Sequence, residues 1–274
     1  MTIRHLSSNG AQIVDAGGIP VLSWQWLYDL GVEAVVTTRE GGVSTGPYRS
    51  LNLGMHVGDD PDAVVENRRR AAGAIGATVQ ELVFANQVHG TRVTRVGSED
   101  AGRGSHNASD AVQASDALVT TEAGPVLVTL VADCSPLLLF DPEARVLATV
   151  HAGWRGAVDG TVRAAVEAMA NLGALAGRTV AVIGPTVSPS TYVVGHEVAV
   201  AARGAFGRRA DEVLWSHGDR WRFDVAGANR LQLLSAGVLD DAIASSPFTT
   251  GDESFFSDRD ARPCGRFGLL ARMR

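Results

Sequence analysis

Residues 126–173 read VLVTLVADCSPLLLFDPEARVLATVHAGWRGAVDGTVRAAVEAMANLG. Within them three apolar runs of strand length, 126–132, 137–140 and 146–150, follow one another across short polar breaks. A glycine-punctuated HAGWRG then leads into a helix that Thr161 opens and the glycine after Leu172 closes. Outward from this stretch, further strand-length runs lie at 32–38, 82–87, 91–96 and 117–121. Asp60 followed by Pro61 announces a helix through DAVVENRRRAAG, and two weaker helices are expected at 197–206 and 225–236. The stretch 97–115, GSEDAGRGSHNASDAVQAS, reads as one long loop. Strands interleaved with helices predict an α/β chain with a mixed sheet or sheets and helices outside. No linker rich in Pro, Gly or Ser divides it, so one domain over residues 1–274 is expected.

Composition narrows the chemistry. The 274 residues are 45% apolar and 20% charged, a globular balance that excludes disorder, collagen and coiled coil. The run at 126–132 is far shorter than the ~20 residues a bilayer requires, and MTIRHLSSNGAQIV lacks the apolar core of a secretory signal. No membrane partner and a cytoplasmic address are expected. All 24 basic residues are arginine. A Walker phosphate loop, pyridoxal phosphate chemistry and a Schiff-base aldolase each need a lysine, so all three are excluded. With a net charge of −6 and basic residues scattered apart from Arg68, Arg69 and Arg70, no nucleic-acid partner is expected. The two cysteines, Cys134 and Cys264, form no CxxC pair and fit a reducing compartment.

Three constellations could carry chemistry. GVSTG at 42–46 matches a nucleophile elbow by letter, but Pro47 and the loop residues after it replace the helix that an elbow requires around Ser44. HAGWRG at 151–156 places glycines and Arg155 between a strand and a helix, which suits an anion; a tight turn explains the same glycines. His89 in NQVHG, Cys134 in ADC and His151 stand at strand ends and form a donor set suited to zinc. Three protein ligands leave a fourth position for water or substrate, the mark of a catalytic zinc site. Asp133 and Gln87 lie beside them as proton carriers or supporting groups. The plainer reading takes Cys134 as a buried apolar residue and both histidines as hydrogen-bonded. His56, His106, His196 and His217 read as ordinary loop or surface residues, and Trp24, Trp26, Trp215 and Trp221 as packing.

Taken together, TTREGGVSTGPYRSLNLGMHVGDDP, VVENR, NQVHG, DALVT, ADCSPLLLFD, HAGWRG, IGP and FFSDRD resemble, in order and spacing, the bacterial laccase-domain family. Its members have been called multicopper polyphenol oxidases, purine nucleoside phosphorylases and peptidoglycan editing factors. The resemblance runs from about Thr37 to the C-terminus. It implies a single α/β domain of two mixed β-sheets sandwiched between helices in four layers. It also implies a zinc site at His89, Cys134 and His151, with copper a weaker alternative. The implied activity is phosphorolysis of adenosine, inosine, guanosine or methylthioadenosine, with adenosine deamination beside it. Phosphate and a purine nucleoside would then be the partners, with Arg39, Arg68 and Arg155 on the anion, Asn52 and Gln87 as polar contacts, and Asp133 as a proton carrier. Ser190, Val193, Phe248, Thr249 and Asp260 depart from the family pattern, which bears on the pocket rim and substrate preference.

Other readings stand beside this one. Cys134 with His151 could serve as the nucleophile and base of a cysteine hydrolase or a peptidoglycan-precursor editing enzyme. A multicopper oxidase needs more ligands than seven histidines without an H-x-H pattern supply. A non-catalytic protein with structural zinc needs a fourth donor, for which Asp133 or His56 are the candidates.

Overall fold

The structure, a computed structural model, describes residues 10–274. One six-stranded sheet runs β1 (Ala11–Ala16), β2 (Ile19–Trp24), β3 (Val32–Thr37), β15 (Phe267–Met273), β7 (Val126–Val131) and β4 (Leu82–Phe84). The second runs β14 (Ile243–Ser245), β10 (Val180–Ile183), β8 (Ser135–Asp141), β9 (Val146–Ala152), β6 (Ala117–Thr120) and β5 (Val93–Arg95). Both are mixed: β4 lies parallel to β7 and β5 to β6, whereas β8 and β9 are antiparallel, as are β15 and β7. A small sheet, β11 (Val193–Val194), β13 (Arg220–Phe223) and β12 (Leu214–His217), stands apart from both. The helices are α1 (Gln25–Asp29), α2 (Pro61–Gly73), α3 (Trp154–Asp159), α4 (Thr161–Ala170), α5 (His196–Phe206) and α6 (Val225–Ser235). None is long and apolar enough to cross a membrane.

The apolar runs at the centre of the chain are continuous because each strand is covered on both faces. In β8, Leu138 and Phe140 enter the core between the two sheets, while Leu137 and Leu139 face the helices. In β7, Leu127 and Val131 enter the intersheet core and Val126, Val128 and Leu130 meet α2 through Ala71 and Ala72. Opposite, Val162, Ala165, Val166 and Met169 of α4, with Leu233 of α6, cover the outer face of the second sheet. The layers are therefore helix, sheet, sheet and helix, the architecture that the resemblance implies.

Local chemistry explains several boundaries. Asp60 caps α2 by accepting from the Asp62 amide, with Pro61 in the first turn. The expected direct passage from HAGWRG to the Thr161 helix is interrupted by α3, and Gly160 at φ +94° both ends α3 and caps α4. Thr161 is thus not a cap; its hydroxyl donates to the Gly90 carbonyl at 2.8 Å and ties α4 to the loop carrying His89. Ser44 is buried with its hydroxyl donating to Asp59 at 2.6 Å, so GVSTG is a structural turn. In the loop at 97–115 the regular pieces are short turns at Ser98–Asp100 and Ala108–Asp110 and a parallel bridge from Val112 to Ala85.

Leu138→Ala removes a side chain that is 0% exposed and is expected to lower unfolding stability by ~2–5 kcal/mol. Leu175→Ala, at a position 57% exposed, stays within ~0.5 kcal/mol. Urea unfolding midpoints read both, and equal shifts would contradict the layered core.

Candidate metal centre

Among the described residues four connections join the two large sheets, and two of them run from the first sheet to the second. The chain leaves β4 in the first sheet and enters β5 in the second through the turn that carries His89. It crosses again from β7 to β8 through Ala132, Asp133 and Cys134. His151 lies near the end of β9, in register with Pro136 on β8, so both of these crossings deliver their candidate ligand residues to one rim. There the ring nitrogens of His89 and His151 and the Cys134 sulfur all lie within 4.8 Å of one another. Cys134 Sγ is 3.8 Å from His89 Nε2, and the two imidazole rings meet edge to face with centroids 4.7 Å apart. His151 is buried, Cys134 half-buried and His89 exposed.

Asp116, at the head of the segment leading into β6, organises the group. Its Oδ1 accepts from His151 Nδ1 at 2.8 Å and from the His89 amide at 2.9 Å. Its Oδ2 accepts from the amides of Gly90 at 2.7 Å and Val88 at 3.2 Å. Burial opposes the charge, but these donors outweigh it and hold the carboxyl below the usual carboxylate range. With Nδ1 committed, His151 turns Nε2 toward Cys134, the arrangement that fixes the tautomer of a metal-ligating histidine.

The backbone is strained where the candidate ligands are placed. His89 at φ +60° and Asp133 at φ +84° occupy the left-handed region without being glycine. Asp116 fixes the first through the His89 amide. The second is held because the Asp133 carboxylate accepts from Thr250 Oγ1 at 2.5 Å, Ser257 Oγ at 2.8 Å and the Arg259 amide at 2.7 Å. Gly153 permits the close approach, since a Cβ there would lie 2.5 Å from Cys134 Sγ. Burial disfavours the Cys134 thiolate, yet the His151 and His89 imidazoles overcome it and bring the thiol down to about 6. Burial likewise disfavours the His151 imidazolium, but the Cys134 thiolate and Asp116 raise it to about 9.

A cavity of ≈ 530 Å³ opens beside the three residues. Arg68, Arg155, Arg259, Arg262 and Arg266 line it against only two carboxylates, Asp133 and Asp258, although the chain as a whole carries −6. Arg155 stacks on Trp154 with its Cζ 4.4 Å from the ring centroid and makes no hydrogen bond or ion pair among the described residues. Arg68 is buried, and its donors go to the carbonyls of Leu53, Gly104 and Ser105. Gln87 also reaches the cavity wall, but its amide clamps Leu130, donating to the carbonyl at 2.7 Å and accepting from the amide at 2.9 Å.

Arg39 and Asn52, expected as substrate contacts, lie outside the cavity wall. Arg39 donates to the Arg49 carbonyl and stacks on Phe256, and fully buried Asn52 bonds Gly54, Asp59 and the Arg266 amide. Both are spent on backbone groups of a long irregular segment, those bonded by Asn52 being buried and the Arg49 carbonyl exposed. Asp133 reaches the wall, but its oxygens are committed to the bonds above. None of Ser190, Val193, Phe248, Thr249 and Asp260 lines the cavity; Val193 acts one layer behind, its carbonyl accepting from Arg259 at 2.7 Å. Sequence reasoning missed Asp116, Tyr192, Arg259 and Arg266, and it left His56 as an ordinary loop residue, whereas His56 lines the cavity. DALVT, headed by Asp116, and FFSDRD, holding Arg259, carried the available signal.

Against known proteins, residues 33–274 match the family model described as multi-copper polyphenol oxidoreductase laccase. A purine nucleoside phosphorylase of Deinococcus radiodurans is 41% identical over 252 residues, covering 92% of each chain. Among solved structures, YfiH of Bacillus licheniformis superposes with a TM-score of 0.92 at 28% identity, covering 97% of this chain and 100% of that one. YlmD of Geobacillus stearothermophilus gives a TM-score of 0.90 at 34% identity, covering 97% of this chain and 99% of its own. On the length of these matches and the fold they share, the chain belongs to the multi-copper polyphenol oxidoreductase laccase family.

Proposed function

We propose that this chain is a zinc-dependent purine nucleoside phosphorylase of the cytoplasm, acting through all of its length as one catalytic unit. The observation that carries the reading is the convergence of His89, Cys134 and His151 beside an arginine-walled cavity. The name borne by the Deinococcus radiodurans relative supports the activity. Two imidazoles and a thiolate are a zinc donor set, and their spacing within 4.8 Å is one that an ion bonded at ~2.0–2.3 Å bridges after a small closure. The set is mononuclear, which disfavours multicopper oxidase chemistry. Asp133, the residue that could have closed the site as a fourth ligand, has its oxygens bound elsewhere, which favours a catalytic over a structural ion.

In phosphorolysis an oxygen of phosphate bonds to the anomeric carbon as the carbon–nitrogen bond breaks and the purine leaves with the electron pair. The dianion must be held against that carbon, so the cationic wall supplies both attraction and orientation. Zinc, when bound, supplies Lewis acidity at a position beside the cavity. His89, Cys134 and His151 hold it, Asp116 orients His151, and Arg155 is the cation with donors to spare. Adenosine, inosine, guanosine and methylthioadenosine are the proposed nucleosides, with adenosine deamination as a side activity.

A second reading is favoured by one observation. Cys134, His151 and Asp116 form a thiolate–imidazolium–carboxylate series in which a cysteine nucleophile would be activated without metal. Metal content separates the two readings, because a ligated thiolate resists alkylation.

Purified protein is expected to hold one zinc per chain and to convert inosine to ribose 1-phosphate only when phosphate is supplied. Cys134→Ala should lose both the ion and the turnover, and a variant retaining full phosphorolysis would remove Cys134 from the site. Asp116→Asn is expected to weaken zinc binding by ~10–100-fold with the fold intact, and Gly153→Ala should weaken it too by pressing on the sulfur; competition with a chromogenic chelator measures both. In metal-free protein, Cys134 carboxamidomethylation should stay at full rate as pH falls from 8 and drop through about 6; a midpoint near the ordinary thiol value of 9.0 would contradict the paired thiolate.

A further inference from the structure

The arginines of the cavity are not equivalent. Arg262 and Arg266 are both paired with Asp258, and Arg68 is fastened to three backbone carbonyls, so their charge is largely spent within the protein. By contrast, among the described residues Arg155 makes no hydrogen bond or ion pair and only stacks on Trp154, and the Arg259 guanidinium makes a single hydrogen bond, from Nη2 to the Val193 carbonyl at 2.7 Å. Beside Arg259 lies Tyr192, half-buried, its ring 5.3 Å from Arg259 Cζ and its hydroxyl without a partner among the described residues. Tyr192, Cys134, Asp133, Arg155 and Arg259 all line the same cavity.

Both arginines are tied to the segments that carry the sulfur and the buried imidazole. The Arg259 amide donates to Asp133, the residue before Cys134. Arg155 follows His151 by four residues, across Gly153, whose close approach to the sulfur fixes that turn. Any anion bridging the two arginines is therefore held at a set distance from the three donor residues. With Asp133 in the same wall, the pair still leaves net positive charge.

From this placement we infer that Arg155, Arg259 and Tyr192 form the subsite for the tetrahedral oxyanion, inorganic phosphate in the reaction proposed above, and that Arg39 and Arg68 take no part in it. The two guanidinium forks and the phenolic hydroxyl donate to its oxygens. The nucleoside is left the rest of the cavity, which His56 also lines. The inference rests on the phosphorolytic reading for the identity of the anion, but binding can be tested apart from turnover.

Equilibrium binding of inorganic phosphate to the zinc-loaded protein is compared for the unchanged chain and for Arg155→Gln, Arg259→Gln and Tyr192→Phe, with zinc content and KM for inosine measured on each. Arg155→Gln severs no hydrogen bond or ion pair among the described residues and serves where Arg259→Gln fails to fold. Loss of at least ~10-fold in phosphate affinity for an arginine variant, with a smaller loss for Tyr192→Phe, is expected; zinc content is unchanged and KM for inosine stays within ~2-fold. Phosphate binding equally well to Arg155→Gln, or not at all to the unchanged chain, overturns the subsite. If phosphate binds through these residues yet no ribose 1-phosphate forms, the subsite stands and the phosphorylase reading falls.

Discussion

One buried carboxylate organises the centre. Asp116 receives four donors, three of them backbone amides of the turn 88–90 and the fourth the Nδ1 of His151. A carboxylate so enclosed cannot be left unpaired without a large desolvation penalty, so its four partners are held where they are. Those partners belong to two of the three donor segments, and the same bonds that satisfy Asp116 set the strained backbone at His89 and the tautomer of His151. Rigidity at the rim therefore comes from polar satisfaction beneath it rather than from an ion added later.

The fold supplies the third segment. Because β7 and β8 are consecutive in the chain but lie in different sheets, the link between them must cross the sandwich at its edge, and Cys134 lies on that link. The β4 to β5 link crosses in the same way with His89. Two intersheet crossings beside the end of β9 put the donor set at the mouth of the intersheet space. This geometry links the layered core to the chemistry: the apolar packing that separates the sheets by one side-chain layer also sets how far apart the donors lie.

Much of this was legible in the chain. Strands β7, β8 and β9 stand out because burial on both faces leaves unbroken apolar runs, and α2 because Asp60 and Pro61 mark its start. His89, Cys134 and His151 were legible by residue type, since few combinations of soft donors occur in a chain with two cysteines. Other features were not. IPVLSW of β2 has proline and serine among its apolar residues, FGLLARM of β15 pairs only with strands distant in sequence, and α3 is hidden by glycines that also suit a turn. Asp116 looks like any acid before a strand until the fold brings the turn 88–90 onto it. Arg39 and Asn52 lie in a conspicuous polar segment whose side chains are consumed in holding that segment together, a distinction only three-dimensional packing reveals.

The central claim is that two imidazoles and one thiolate share a single ion at this rim. X-ray absorption at the zinc edge of the loaded protein tests it most directly. The account predicts one sulfur at ~2.3 Å with nitrogen or oxygen neighbours at ~2.0–2.1 Å, and disappearance of the sulfur shell in Cys134→Ser. A spectrum without sulfur in the unchanged protein, or a sulfur shell that survives the substitution, would contradict it.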